Sequence, residues 1–260
     1  MPKVMVNDIN IYYEVKGEGF PLVLIMGLAG NLDWWPRELT DRLAGHYKLV
    51  LFDNRGAGRT DAPEGEYSIP MFAGDTVGLL DRLGIEKAHI FGVSMGGMIA
   101  QEIAISYPER VEKLVLGCTF CGPQHSIPAQ PEIINFLINP QSAGLKDFLK
   151  ILFPEDYIKN NMDKTDEFIR LYKIAPISPE AQLRQVGAVM KFDSLSRLSQ
   201  IAAPTLVITG DGDVLIPAGN SSILAENIPG ARLIVLDGCG HGFMVQEPEK
   251  LYIALSDFLG

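Results

Sequence analysis

Ser94, His241 and the aspartates Asp211 and Asp213 are the residues of this chain whose types and settings suit nucleophilic catalysis. Ser94 stands in Gly92-Val93-Ser94-Met95-Gly96, between a strand-like stretch at 88–93 and a helix-like one at 95–104. A strand-to-helix turn that sharp strains its central residue and brings strand and helix together, so Gly92 and Gly96 supply clearance. The hydroxyl is then presented above the carboxyl edge of a sheet, at a helix start whose free N–H groups favour negative charge. The Met95 N–H can point at an oxyanion there. A serine hydroxyl is a poor nucleophile at neutral pH and needs a base. Of the four histidines, His46 and His89 fall before or within core elements and read as surface or structural. His125 is a candidate pocket residue, but nothing near it in sequence orients it. His241, in Gly238-Cys239-Gly240-His241, directly follows the last strand-like run, so its ring can hang over the same edge as Ser94. The base in turn needs an anion to hold its tautomer. Gly210-Asp211-Gly212-Asp213 follows the run at 204–209 and offers two, each equally able to serve as a solvated turn former. The other position for such an acid, after Gly117, carries Cys118 and Thr119 and no carboxylate.

These side chains need a scaffold that gathers strand ends. Short runs rich in Val, Ile and Leu occur at 21–25, 48–52, 88–93, 113–117, 204–209 and 232–236, as expected for strands buried on both faces of a parallel sheet. Helical spacing lies between several of them, at 74–83, 95–107, 218–227 and 249–259, which predicts right-handed βαβ units in an α/β domain. Ahead of them, 3–6 and 9–15 flank Asn7-Asp8 and read as an antiparallel hairpin at the sheet edge. The alternation breaks between about 122 and 200. There Leu145, Phe148, Leu149 and Leu152 make one apolar helix face, and Ser178-Pro179-Glu180 opens a helix to about Met190. Phe136, Phe148, Phe153, Phe168 and Phe192 argue for packed helices rather than a linker. Its basic residues Lys146, Lys150, Arg170, Lys173, Arg184 and Lys191 fall mostly off the apolar faces and are expected to meet solvent.

Composition narrows the function classes. The chain has 260 residues, 47% hydrophobic and 21% charged, enough for one large domain or one with an insertion. A net charge of −10 with scattered Lys and Arg argues against nucleic acid as a partner. The N-terminal segment lacks a secretory pattern and the longest apolar run, 22–28, is too short for a bilayer, so a cytoplasmic protein with no membrane partner is expected. Three cysteines do not make a disulfide framework, and Cys118-Thr119-Phe120-Cys121 lacks a second pair for zinc. Buried or pocket-lining thiols are expected.

Taken together, the chain resembles the α/β-hydrolase fold family over essentially its whole length, with the residue order Ser94, Asp213, His241 that this family uses. The resemblance implies an eight-stranded, mostly parallel sheet flanked by helices. It also implies a core of residues 1–121 and 201–260, and a helical cap of 122–200 inserted after the sixth strand. It selects Asp213 over Asp211, because the acid in such loops lies four residues before a proline, here Pro217. A loop after the third strand supplies the second oxyanion N–H in this family, which points to Leu28 in Met26-Gly27-Leu28-Ala29-Gly30. Met26 stands where a histidine is usual. Phe52-Asp53-Asn54-Arg55-Gly56-Ala57-Gly58-Arg59 resembles the turn after the fourth strand, with Asp53 and Arg55 as structural ties. Gly56-Ala57-Gly58 lacks the third glycine of a dinucleotide fingerprint, so no cofactor and no metal are expected. The expected activity is hydrolysis of small carboxylic esters. Enol-lactones or the C–C bonds of ring-cleavage products are alternatives, and a non-catalytic ligand receptor on the same scaffold is the rival from another class.

Overall fold

The computed structural model describes residues 3–138 and 144–260, and the side chains of all of these except 136–138; Phe136 therefore lies outside the described side chains. One eight-stranded sheet organises the chain, in the order β1-β2-β4-β3-β5-β6-β7-β8. The hairpin β1 (Lys3–Val6) and β2 (Ile9–Lys16) forms the antiparallel edge. From β4 (Tyr47–Phe52) through β3 (Phe20–Ile25), β5 (Ala88–Val93), β6 (Val111–Gly117), β7 (Thr205–Gly210) and β8 (Arg232–Leu236), every pairing is parallel. The strands begin or end within two residues of the apolar runs, because residues buried on both faces leave a continuous signal.

Alternate residues of one strand serve opposite faces. In β3, Leu22 and Leu24 join a core with α1 (Arg37–Ala44) and α11 (Pro248–Leu259). Val23 and Ile25 join a second core with α2 (Ile69–Arg82), α3 (Met95–Ser106) and α9 (Gly219–Asn227). Between β6 and β7 run α4 (Pro131–Ile138), α5 (Leu145–Leu152), α6 (Glu155–Asn160), α7 (Met162–Tyr172) and α8 (Pro179–Met190), and α10 (Phe243–Gln246) follows β8. Helix α8 begins as expected: Ser178 Oγ accepts the Ala181 N–H at 3.2 Å, with Pro179 in the first turn. Among the described residues, no helix is long and apolar enough to cross a membrane.

Helices α1 and α2 and the short α10 depart from the sequence reading. Helix α1 has no counterpart in it, since its eight residues between Pro36 and Gly45 carry only Leu39 and Leu43 as a buried apolar pair. Helix α2 starts at Ile69 rather than 74, because Ser68 caps it through the Met71 N–H.

Candidate active site

All parallel strands point their carboxyl ends the same way, so the segments leaving β3, β5, β6, β7 and β8 meet at one edge. Ser94 leaves β5 with φ 55° and ψ −122°, a left-handed conformation that a non-glycine residue adopts at a cost of about 1–3 kcal/mol. A side chain at Gly92 would strike the Gly96 backbone, and one at Gly96 would strike the carbonyl of Ile25 in β3. The turn is held from below by the Ser94 N–H on Gly117 O (2.9 Å) and by Thr119 Oγ1 donating to Ser94 O (2.7 Å). The Ser94 side chain makes no capping bond to α3, so its oxygen stays free for other partners.

The two loops after β7 and β8 bring Asp213 and His241 together. His241 Nδ1 lies 2.7 Å from Asp213 Oδ2, and both residues are buried. The other carboxylate oxygen, Oδ1, accepts the N–H groups of Leu215 and Ile216 at 2.9 and 2.8 Å. Asp211, by contrast, is exposed and contributes its backbone N–H to Leu236 O. The loops are tied to each other by Gly212 N–H on Cys239 O, and to α5 by Gly242 N–H on Leu152 O, each 2.8 Å. Burial is the largest single influence and works to lower the His241 pKa, but the Asp213 charge and hydrogen bond together with Cys118 outweigh it and hold the pKa well above the usual histidine value.

The loop after β3 closes the site. Gly27 packs so close to Ser94 that an added Cβ would sit 2.9 Å from the serine Cβ. Where a histidine is usual, Met26 offers no side-chain hydrogen bond, and other residues hold the loop. Asn54 Nδ2 donates to Met26 O (2.8 Å), Asp53 Oδ1 accepts the Leu32 N–H (2.8 Å), and Gln185 of α8 accepts the Ala29 N–H (2.8 Å). Asp53 also accepts the Arg59 N–H, while Arg55 pairs with Asp75 and Asp8, which agrees with the structural reading of that turn. Among the described residues, neither the Leu28 nor the Met95 N–H has a protein acceptor.

These groups open on a cavity of about 100 Å³ lined by Ser94, Leu28 and His241 and otherwise largely apolar, with Trp34, Phe148, Phe153, Phe168 and Met244. A larger cavity of about 310 Å³, beside Trp35 and Arg37, contains neither Ser94 nor His241. Gln182 and Gln185, one turn apart on α8, are not singled out by the sequence. The glutamines carry no motif, and the Ala29 partner lies 156 positions from Gln185. Cys118 also lines the small cavity, its Sγ 4.0 Å from His241 Nε2. All three cysteines are free and buried. Cys118, Asp213 and His241 bring three ligand-type atoms within 4.8 Å, but the imidazole stands between the carboxylate on Nδ1 and the thiol on Nε2, which divides the set. His125 is exposed beside Asp193 and does not line this cavity. None of the basic residues Lys146, Lys150, Arg170, Lys173, Arg184 and Lys191, nor Lys159, Lys164 or Arg197 of the same insertion, lines the cavity.

The family model of the α/β hydrolase fold matches residues 21–139. Across its whole length the chain is 30% identical to the "Putative carbamate hydrolase RutD" of Azorhizobium caulinodans, covering 98% of that protein. The enol-lactonase from Burkholderia xenovorans LB400 is similar in structure with a TM-score of 0.88 at 26% identity, over 99% of both chains. Est816, described as an N-acyl homoserine lactone degrading enzyme, gives a TM-score of 0.87 at 29% identity, over 99% of this chain and all of that one.

Proposed function

The chain belongs to the α/β-hydrolase fold family, and from that premise we propose that it is a serine hydrolase of small carboxylic esters, working through Ser94, His241 and Asp213. The observation that carries the reading is the 2.7 Å contact between His241 Nδ1 and Asp213 Oδ2, with His241 and the strained Ser94 lining one cavity. His241 Nε2 takes the Ser94 proton as the oxygen attacks the acyl carbon. The Leu28 and Met95 N–H groups receive the oxyanion, and the imidazolium returns the proton to the leaving alkoxide. Water repeats the sequence on the acyl-enzyme. Residues 122–200 act as the cap over this chemistry, and its aromatic lining suits a small apolar acyl group.

A second reading, lactone hydrolysis, is favoured by the likeness to the two lactone-degrading structures and uses the same acyl chemistry. C–C cleavage is disfavoured, because a carbanion leaving group needs polar or cationic support and the loop and cavity supply mainly Met26, Leu28 and aromatic rings. The test is turnover of a panel of short acyl esters, lactones and vinylogous diketones, with fluorophosphonate labelling of the parent and Ser94→Ala. The expected result is ester hydrolysis and labelling that both vanish in the folded variant. A Ser94→Ala protein keeping half its turnover sinks the mechanism. A diketone preferred over every ester and lactone sinks the substrate assignment alone.

A further inference from the structure

Gln185 is fully buried in α8, and both ends of its amide are used. Its Oε1 accepts the Ala29 N–H at 2.8 Å and its Nε2 donates to Arg55 O at 2.9 Å. The amide orientation is fixed by chemistry, since a backbone N–H requires an acceptor and a carbonyl a donor. Ala29 itself has φ 63°, a left-handed conformation unfavourable for alanine. Its strain is therefore borne by contacts, and the Gln185 bond is the one its N–H makes. The neighbouring Leu28 N–H is left without a protein acceptor, beside Ser94.

The same loop is clasped a second time by the segment preceding α8. Asn31 Nδ2 donates to Ile174 O (2.8 Å) and Ala175 O (3.1 Å), while Asn31 Oδ1 accepts the Asp33 N–H. Helix α8 is in turn seated on the turn after β4: Ala181 packs on Gly56, Arg184 Nη1 donates to Pro63 O, and Lys191 pairs with Glu66. The helical segment thus touches the loop after β3 through directed bonds at two points and is anchored to the sheet domain independently of it.

We infer that Gln185 is a positioning residue of the oxyanion site: by taking the Ala29 N–H it fixes the backbone so that the adjacent Leu28 N–H faces the reacting acyl oxygen. The insertion is then part of the oxyanion machinery rather than a cover alone. An oxyanion donor acts only when aimed at the charge that develops in the transition state, so a loop relaxed by a few tenths of an ångström loses rate while substrate binding survives. This inference rests on the Ser94 reading.

The test is Gln185→Met, similar in length and unable to make either bond, assayed on a short p-nitrophenyl ester with an alkylboronic acid as tetrahedral mimic, beside a melting curve. Removing an oxyanion donor outright costs about 10²–10³ in kcat, and a misaimed one less, so kcat should fall by about 10–100-fold. KM should stay within about threefold, and boronate affinity should fall by about the same factor as kcat/KM. The acid limb of the pH profile should not move, because the His241–Asp213 pair is untouched. The inference is overturned if kcat/KM stays within threefold of the parent, or if KM takes the loss while boronate affinity is kept. Should Gln185→Met fail to fold, Gln185→Leu, which also lacks both polar ends and has a shorter side chain, is measured in the same way and decided by the same two results. Ser94→Ala run alongside separates the failures: turnover there defeats the nucleophile itself, whereas a dead Ser94→Ala with an unaffected Gln185 variant defeats only the positioning role.

Discussion

At the scale of single residues, Asp213 and Asp211 differ by two positions and in almost everything else. Asp213 is buried with both oxygens engaged, one on His241 and one on two backbone N–H groups, whereas Asp211 is exposed. Asp213→Asn should therefore cost on the order of 10³–10⁴ in kcat by misdirecting the imidazole tautomer, with Asp211→Asn within about threefold of the parent. The same substitution carries a pH signature. In the proposed mechanism the base, His241, must be neutral, and Asp213 raises its pKa, so the acid limb of kcat/KM should lie above the usual histidine value of 6.5. In Asp213→Asn that limb should move to lower pH; a limb that stays put would mean another group sets it. Ser94 and His241 stand out in the sequence because Gly92 and Gly96 flank the serine two residues to either side and His241 directly follows the last strand-like run. The aspartate choice needed family resemblance, since Asp-Gly-Asp fits a solvated turn equally well. Gln185 was not legible, because its meaning lies in a partner 156 residues away.

At the scale of elements, glycine is informative where the backbone approaches closely and uninformative where it does not. Gly96 in α3 faces the Ile25 carbonyl of β3, which cannot move without breaking the sheet, while Gly187 in α8 has nothing within 4 Å of where a Cβ would be. Gly96→Ala should thus cost about 3 kcal/mol or more, lowering Tm by on the order of 10 °C and displacing Ser94 with it. Gly187→Ala should be stabilising by about 0.5–1 kcal/mol through helix propensity. Calorimetry on the pair decides whether the elbow or glycine content in general sets the sensitivity; equal losses would contradict the geometry. The contrast also explains which elements the sequence revealed. The buried strands and α3 carry dense apolar patterns, and α8 carries its cap Ser178. Helix α1 and the first turn of α2 rest on sparse apolar positions or a single capping serine, too little signal against polar surroundings.

At the scale of the whole molecule, two buried histidines tilt stability with pH in opposite directions. His89 lies near the start of β5, at the far end of the strand from Ser94, against the rings of Phe20 and Tyr47 and with Nδ1 lacking a hydrogen-bond partner. Burial first, then the positive charge of Lys113, push its pKa down to about 4. The unfolded chain binds this proton near pH 6.5 and the folded one only near 4, so His89 favours the fold above 6.5 and progressively disfavours it as pH falls from 6.5 toward 4. His241 has the opposite sign: its raised pKa gives stability that is fully present below 6.5 and lost as pH rises through the folded value. The sequence marked His89 as structural but could not give this sign, because the rings and Lys113 come from β3, β4 and β6. His89→Gln removes one of the two opposing groups at a distance from the site. Its Tm should fall less steeply than the parent's between pH 6.5 and 4.5, while the two proteins keep a constant offset above pH 7. In Asp213→Asn, where the favourable partner of the His241 imidazolium is gone, the deficit against the parent should instead be greatest in that acid range and shrink toward alkaline pH. Melting curves of the three proteins across pH 4.5–8.5 check both signs together, and parallel curves for His89→Gln and the parent would show that His89 titrates in the folded protein as it does in the unfolded one.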